Sequence, residues 1–382
     1  GFIEVDIETP EELKDYMSEF PLIFKNIEYD SMKESGEYMK KLLKIKTGCD
    51  KPIKVRKLIS SYFGEKILIK SSRLKWLISK GLIVTKIYGY IKCKFRRVFE
   101  SFVNRVSNER RKGDVDKKYA IIADSWKLVG NSAFGISIID QSKFTSTTYG
   151  NVNKYHKNVS SPLFKNCSQY DDIFEISKSK QKIVHKSPFQ VGASIFDDSK
   201  FLMSRFYYDF IDKYIERSDF QYQEMDTDSA YMSLTGDFFD LIKPSMREEF
   251  EKERYLWMPN NTTEELKNFT KRTPGLFKEE FTGAGIVSLS SKMYYVKGFD
   301  NYDKFSSKGV QKKNNNISYD MFKDVLINNK FVMAKNTGLR IFNKSNNDKR
   351  IYYCEVQKLG FSPIYDKRIV MEDGISTIPL NV

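Results

Sequence analysis

The sequence predicts a mixed α+β fold, and three observations lead to that prediction. Residues 1–8 alternate between apolar and acidic side chains, as expected of a strand with one buried face. Residues 191–216 carry apolar side chains at helical spacing, in a stripe that predicts a core helix. With 382 residues, 40% of them hydrophobic and 14% aromatic, the chain is long and apolar enough to form two or three folded subdomains.

The charge balance favours a polyanionic partner. Lys and Arg number 64 against 50 Asp and Glu, and the net charge of +14 is not concentrated in one basic tail. An excess of this size is typical of proteins that bind nucleic acids. A compositional bias toward Lys and Asn is the alternative explanation.

Cysteine and histidine usage excludes several function classes. The cysteines are widely scattered and are not spaced as metal ligands, so they indicate free thiols in a reducing intracellular compartment, such as the nucleus, cytoplasm or mitochondrion. These are Cys49, Cys93, Cys167 and Cys354. The only histidines are His156 and His185, which argues against zinc catalysis and a Ser-His triad. No 18-residue apolar run or signal peptide is present, so no membrane partner is expected.

The chain opens in the middle of a strand pattern and without Met, which leads us to expect a fragment. Pro10 and the acids after it predict a short helix. The carboxylates of Asp6 and Glu8 have two interpretations. They are either solvated acids at a strand edge, which we favour, or a pair of exonuclease type.

A pair of helices is predicted between residues 98 and 134, after a basic, β-rich stretch at 51–90. The first helix carries Arg105 among several arginines, and a turn is expected at 113–116. Lys127, Asn131 and Phe134 follow at i, i+4 and i+7, so they share one face of the second helix. A cation, an amide and a ring on one face suit a nucleotide. The alternative is an ordinary amphipathic helix with residue 135, a glycine, as its C-cap.

Asp226 and Asp228 form the most distinctive pair of carboxylates. In a strand they project from the same face, with Thr227 on the other. Two adjacent carboxylates raise each other's pKa unless a cation neutralises them, and such oxygen ligands suit Mg²⁺. This arrangement is typical of two-metal phosphoryl transfer. The alternative is a surface turn, where Asp is common.

Two further sites follow towards the C-terminus. Lys292 and Tyr294 are predicted on one face of a strand. The basic segment 304–313 contains Lys308 and is predicted as a turn. Contact with a phosphate backbone and an ordinary solvated loop are equally good interpretations of that turn.

Three motifs in a fixed order now resemble those of family B DNA polymerases. They are Lys127-x-x-x-Asn131-Ser132-x-Phe134-Gly135, then Asp226-Thr-Asp228-Ser229, then Lys292-x-Tyr294. The flanking segments resemble the protein-primed branch of that family, found in linear plasmids, viruses and polinton-type elements. They include residues 1–22, the helix before Asp226 and the Asp-Lys-Arg…Asp-Gly-Ile-Ser-Thr-Ile-Pro stretch near the C-terminus.

The resemblance implies a palm–fingers–thumb organisation. Residues 1–95 correspond to part of the palm with an inserted β-rich region, and 96–137 to the fingers helix pair. Residues 138–300 correspond to the palm with the Asp-Thr-Asp-Ser motif, and 301–382 to the thumb and C-terminal region. The first palm strand and the exonuclease domain are then missing at the N-terminus, which is why Asp6 and Glu8 are not taken as exonuclease acids.

The resemblance also implies roles for single residues. Asp228 is the palm metal ligand and Asp226 supports it. Lys127, supported by Asn131, holds the phosphates of the incoming dNTP, and Arg105 belongs to the same nucleotide site. Phe134 replaces the commoner Tyr of the motif and still stacks on the base pair, but it has no hydroxyl.

The implied partners are a DNA primer-template, dNTPs and a terminal protein that serves as primer. Lys292, Tyr294 and Lys308 contact the DNA. The implied reaction is attack of a primer 3′-hydroxyl on the α-phosphate of a dNTP, with two Mg²⁺ ions. The second ion requires an aspartate from an Asp-x-x-x-Leu-Tyr motif, and none lies between Gly1 and Lys127.

Because that motif is missing, this chain by itself is expected to be inactive or nearly so. A non-catalytic, nucleic-acid-binding remnant of a mobile-element polymerase is the first alternative. An unrelated Mg²⁺ phosphohydrolase is the second, but it leaves the helix from Lys127 to Gly135 unexplained.

Overall fold

The computed structural model describes residues 1–48, 52–300, 302–343 and 349–380. Cys49 lies outside the described residues. The described chain combines α-helices with strands that mostly follow one another in groups, which confirms the mixed α+β class. Within the described residues, no helix combines the length and the apolarity that a membrane crossing requires.

The described strands, in chain order, are β1 (Phe2–Glu8), β2 (Ile23–Asp30), β3 (Lys54–Ser61), β4 (Phe63–Lys70), β5 (Ile83–Ile91), β6 (Thr145–Gly150), β7 (Phe164–Tyr170), β8 (Ile173–Ser179), β9 (Phe220–Asp226), β10 (Ser229–Leu234), β11 (Gly283–Ser290), β12 (Met293–Gly298), β13 (Lys304–Ser307), β14 (Val332–Asn343), β15 (Lys349–Phe361), β16 (Arg368–Val370) and β17 (Thr377–Pro379). The described α-helices are α1 (Glu11–Lys14), α2 (Ser31–Glu34), α3 (Glu37–Thr47), α4 (Ser71–Ser79), α5 (Glu100–Val115), α6 (Ala120–Ser137), α7 (Val152–Val159), α8 (Phe189–Arg205), α9 (Asp212–Tyr214), α10 (Arg247–Trp257), α11 (Glu264–Thr270) and α12 (Tyr319–Ile327).

The chain divides into two compact units. The first contains Gly1–Lys127, Ser194–Ala334 and Leu359–Val382, and the second contains Leu128–Ala193 and Lys335–Lys358. Each unit is built from separate segments of the sequence, so the chain passes between the units more than once. The boundary between them falls inside helix α6.

The main core of the first unit lies between a sheet and a long helix. Strands β4, β1 and β5 form an antiparallel sheet in that order, and the side chains of Val5 and Ile7 are buried in its core face. Helix α8 passes into a short π-helical segment at Phe206–Ile211 before α9, and that segment is almost fully buried. The predicted core helix is therefore confirmed, with a π-helical segment near its end.

A second core in the same unit supports the β11–β12 hairpin. Strands β11, β12 and β13 form an antiparallel sheet, and helix α12 covers it with Phe322 and Val325 fully buried. Phe361 packs into the same cluster. The C-terminal strands β16 and β17 pair with each other, and Val370 packs against α3 in the first unit.

The second unit is built around another antiparallel sheet, in the order β6, β8, β7. Ile176 on β8 is fully buried, and the rings of Tyr155 on α7 and Phe174 stack at 5.0 Å. Strands β14 and β15 pair as a hairpin, most of which belongs to this unit.

Local predictions were wrong at several points. Strands β7 and β8 were not predicted, because their polar residues resemble a loop. The turn expected at 113–116 is helical as far as Val115, and only Asp116 leaves the helix. The predicted basic turn at 304–313 begins as strand β13.

Candidate active site

Asp226 and Asp228 lie at the tip of the β9–β10 hairpin. Asp226 pairs with Ser229, so residues 227 and 228 form a two-residue turn. The backbone N–H of Asp228 donates to the carbonyl oxygen of Asp226 at 2.6 Å, which closes the turn. The expectation of two aspartates on one face of a continuous strand is therefore wrong, because the chain reverses between them.

The two carboxylates have different surroundings. Asp226 is half-buried, and its Oδ1 lies 3.1 Å from Nζ of Lys292. Asp228 is exposed at the end of the turn. Thr227, between them, adopts a left-handed conformation with φ of 58°. A β-branched residue there is strained, and such strain is found more often at functional sites than elsewhere.

Lys292 lies at the tip of the neighbouring β11–β12 hairpin. Ser290 pairs with Met293, so Lys292 belongs to a two-residue turn and not to the strand that was predicted. Its φ of 65° is left-handed as well. Its carbonyl oxygen accepts a hydrogen bond from the backbone N–H of Lys308 at 3.1 Å. The tertiary structure therefore brings together three of the predicted site residues, Asp226, Lys292 and Lys308.

Glu224 links the two hairpins, and sequence analysis missed it. Its carboxylate accepts from the Ser288 hydroxyl at 2.6 Å and from the backbone N–H of Lys292 at 2.8 Å. Burial raises the pKa of Glu224 above its ordinary value, against the effect of both hydrogen bonds. An acid two residues before Asp226 is ordinary in an exposed strand, so only its 8% exposure identifies it as a structural residue.

A pair of tyrosines forms a second link between the hairpins. The hydroxyls of Tyr231 on β10 and Tyr294 on β12 lie 2.5 Å apart, and their ring centroids are 4.5 Å apart. Burial raises the pKa of Tyr294, and the hydrogen bond with Tyr231 raises it further. The predicted Tyr294 is therefore a buried neighbour of the Asp226 hairpin. Tyr231 was not predicted.

Lys127 lies in a cleft beside the helix pair α5–α6. The helices approach closely at Gly113, where an added Cβ would lie 2.5 Å from Cβ of Ala123. The cleft has a volume of about 250 Å³. It is lined by Arg110, Gly113, Asp114, Ala120, Ala123, Asp124, Lys127 and Arg272.

The cationic side chains of this cleft come from three elements. Arg272 binds Asp114 through two hydrogen bonds of 2.5 and 2.6 Å, which fixes its guanidinium against α5. Burial lowers the pKa of the Arg110 guanidinium, and the nearby charge of Arg272 lowers it further. Arg110 and Arg272, which sequence analysis did not select, therefore accompany Lys127.

The predicted Arg105 has a different environment. Its guanidinium lies over the ring of Trp126 at 5.0 Å, and it does not line the cleft that contains Lys127. Arg105 and Arg110 belong to one basic helix but lie on different faces of it. The sequence alone does not show which of these faces borders the cleft.

Helix α6 is continuous through the remaining motif residues. Gly135 lies inside the helix, which ends at Ser137, so the alternative that Gly135 is a C-cap is wrong. Asn131 is exposed and Phe134 is half-buried. Both belong to the second compact unit, whereas Lys127 ends a segment of the first.

The donor chemistry of the hairpin tip fits a magnesium ion in part. Asp226 and Asp228 provide carboxylate oxygens, and Mg²⁺ usually takes one or two carboxylates together with water and substrate phosphates. Throughout the residues that the structure describes, no group of three or more His, Cys, Asp or Glu side chains is arranged to hold a metal. One of the oxygens that an ion would use, Oδ1 of Asp226, is already paired with Nζ of Lys292.

Comparisons with known proteins do not assign this chain to a family. Scans against protein-family models, curated proteins and solved structures each found no match.

Proposed function

We propose that this chain is the palm, fingers and thumb part of a DNA-directed DNA polymerase of family B, protein-primed type. The observation that carries the proposal is the meeting of two hairpin tips that are 66 residues apart in the chain, at Asp226 and Lys292. Both tips had been selected from sequence motifs alone. Their contact supports the view that the motifs form one site.

The proposed role of the aspartates is to hold Mg²⁺ at the hairpin tip. Mg²⁺, when bound there, supplies charge stabilisation for the attacking and leaving oxygens of nucleotidyl transfer. The exposed carboxylate of Asp228 is open to the ion and to substrate phosphates. Asp226 forms an ion pair with Lys292. In this proposal Asp226 orients the turn, and its Oδ1 becomes a metal ligand once Nζ of Lys292 moves away.

The proposed role of the cleft beside α5 and α6 is to bind the dNTP phosphates. Lys127, Arg110 and Arg272 provide the cations, and phosphate oxygens form strong charge-assisted hydrogen bonds with such groups. Asp114 and Asp124 limit the local positive charge, and Asp114 positions Arg272. Asn131 and Phe134 belong to the second unit, and their roles toward the sugar and the base stay predictions from the sequence motif.

The proposed role of the second hairpin is to hold the primer end. Lys292 carries a flexible ammonium that reaches either Asp226 or a backbone phosphate. Tyr294 is fixed by Tyr231 and by its buried position, so it acts as a rigid support for the turn. Lys308 is exposed next to Lys292 and adds a second cation to the same path.

A non-catalytic nucleic-acid-binding protein is the second candidate function. The ion pair between Lys292 and Asp226 favours it, because a carboxylate neutralised by lysine binds a metal ion more weakly. This candidate retains salt-dependent binding of polynucleotides. It predicts no binding of dNTPs.

Binding of a fluorescent dNTP, with a primer-template and Mg²⁺ present, distinguishes the two candidates. We expect Lys127→Ala to weaken dNTP binding by about tenfold, equivalent to about 1.4 kcal/mol. Lys118→Ala is the matched control, because Lys118 lies near the same helix pair and pairs with Asp116 outside the cleft. Equal dNTP affinity of the two variants, or no dNTP binding by the parent chain, would contradict a polymerase.

A further inference from the structure

Three lysines from distant parts of the chain lie within electrostatic range of one another, and one of them contacts the Lys292 turn. Lys57 is on β3, Lys308 follows β13, and Lys367 immediately precedes β16. Nζ of Lys57 lies 2.6 Å from the carboxylate of Asp366, which places Lys57 beside the C-terminal segment. Lys308 is joined to the turn by its hydrogen bond to the Lys292 carbonyl oxygen.

The charges of these side chains interact. Burial lowers the pKa of Lys367, and the ammonium groups of Lys57 and Lys308 lower it further, whereas the carboxylate of Asp366 raises it. The charge of Glu224 acts on Tyr365 in the same C-terminal segment. The segment therefore lies near the hairpin link as well as near the two lysines.

The positive charge of this cluster is only partly compensated. Asp366 binds Lys57, whereas neither Lys308 nor Lys367 forms an ion pair with any residue in the described parts of the chain. Asp366 offsets only part of the cost of burying Lys367 among like charges, because the pKa of Lys367 stays below its ordinary value. An anionic ligand therefore relieves a cost that the free protein bears.

An ordinary solvated lysine face does not explain the arrangement. Lysines of such a face are well exposed, as Lys252 is, with 69% of its side chain accessible. Lys57 retains only 24%, and Lys367 is half-buried as well. The cluster also draws on three separate segments, so it depends on tertiary structure and not on a local run of basic residues.

We propose that Lys57, Lys308 and Lys367 form a track for the phosphates of a polynucleotide strand that leads to the Asp226–Lys292 contact. This inference rests on the proposed function, because it identifies further partner contacts of the same site. Lysine acts there as a point charge toward backbone phosphates, which predicts affinity without base specificity.

Salt dependence of polynucleotide binding tests the track. The full chain is titrated against a labelled primer-template duplex with a single-stranded overhang, by fluorescence anisotropy at about 50 to 200 mM salt. The double variant Lys57→Gln, Lys367→Gln should bind more weakly. It should also reduce the slope of log affinity against log salt by about 1 for each lysine.

Two further variants keep the test decisive. Lys367→Arg preserves the charge, so it should keep the slope of the parent chain even if packing is slightly altered. Lys252→Gln, with Lys118→Gln, removes two exposed and paired lysines and should also leave the slope unchanged. Thermal melting of each variant shows whether it is folded.

The possible outcomes separate the track from the proposed function. If the folded double variant binds with the slope of the parent chain, the track is wrong and the proposed function stands. If the control pair lowers the slope as much as the double variant does, binding reflects net charge and the track is also wrong. If the parent chain does not bind the duplex at any salt concentration, the proposed function fails together with the track.

Discussion

Lys292 is held at three points at once. Its N–H donates to Glu224, its carbonyl accepts from Lys308, and its ammonium lies on Asp226. Two of these contacts involve the backbone and only one involves the side chain. The ammonium is therefore the part of Lys292 that can move without disturbing the turn.

Replacing Lys292 should strengthen divalent cation binding at the aspartates. The ammonium competes with a metal ion for Asp226, but the pair is partly exposed and contributes at most about 1 kcal/mol. We therefore expect Lys292→Met to tighten Mn²⁺ binding by about twofold to fivefold, as measured by electron paramagnetic resonance titration. Lys297→Met, on strand β12 of the same hairpin, serves as a control and should leave Mn²⁺ affinity unchanged. Weaker Mn²⁺ binding by Lys292→Met would show that the lysine supports the site.

Glu224 should make stability depend on pH. Its pKa is raised in the folded state, so the protonated form is the one that folding favours. The stability that this group contributes is complete below the ordinary pKa of Glu, and it is lost as pH rises through the raised value. Glu224→Gln stays neutral and keeps partners for Ser288 and Lys292.

We therefore expect the melting temperature of Glu224→Gln to rise relative to the parent chain between about pH 4 and pH 8, starting near the ordinary Glu pKa. Thermal melts across this range provide the measurement. Glu248→Gln, at a side chain that is 87% exposed, is the control and should show a flat difference. A flat difference for Glu224→Gln as well would mean that the buried carboxylate titrates normally.

At the scale of elements, the β9–β10 and β11–β12 hairpins share one backbone feature. Each reverses through a two-residue turn with a non-glycine residue in the left-handed region, Thr227 in one and Lys292 in the other. Glycine or asparagine would fit these positions with less strain. Both turns carry side chains of the candidate site, at the point where the hairpins meet.

The helix pair offers a matched comparison of two glycines. Gly113 faces Ala123 at 2.5 Å from an added Cβ, whereas an added Cβ at Gly135 meets nothing within 4 Å. We expect Gly113→Val to destabilise the chain by about 1–3 kcal/mol through overpacking and to weaken dNTP binding in the adjacent cleft. Gly135→Ala should be neutral or stabilising by up to about 1 kcal/mol. Chemical denaturation measures both effects, and equal behaviour of the two variants would contradict the close approach of α5 and α6.

At the scale of the molecule, the proposed two-metal reaction requires a further aspartate besides Asp226 and Asp228. The described residues contain no group of three carboxylates or other metal ligands, and the sequence lacks an Asp-x-x-x-Leu-Tyr motif before Lys127. A basic chain of net charge +14 nevertheless remains suited to polynucleotides. We therefore expect this chain to bind polynucleotides without catalysing nucleotidyl transfer efficiently.

We predict that this chain alone binds a primer-template but extends it poorly or not at all in Mg²⁺. A gel assay of primer extension over hours measures this, with the double variant Asp226→Asn, Asp228→Asn as the background. Extension well above that background would show that two aspartates are sufficient. It would also overturn the argument from the missing motif.

Periodicity was sufficient for elements such as β1 and α8. It failed where side-chain pattern and structure disagree. The polar strands β7 and β8 are stabilised by pairing with each other, and pairing between segments is a non-local interaction that a local pattern does not contain. The local conformation of the Asp226–Ser229 segment was predicted wrongly, because a tight turn and a strand both accept Asp-Thr-Asp-Ser.

The sequence by itself determined the α+β class, the positive charge and the candidate residues Asp226, Asp228, Lys127, Lys292 and Tyr294, because residue type and spacing carry that information. Only the tertiary structure decided which residues meet. It placed Lys292 on Asp226, buried Glu224 between the hairpins and selected Arg110 over Arg105 as the neighbour of Lys127. The physical reason is that these contacts join segments far apart in the chain, and packing of the whole core determines their distances.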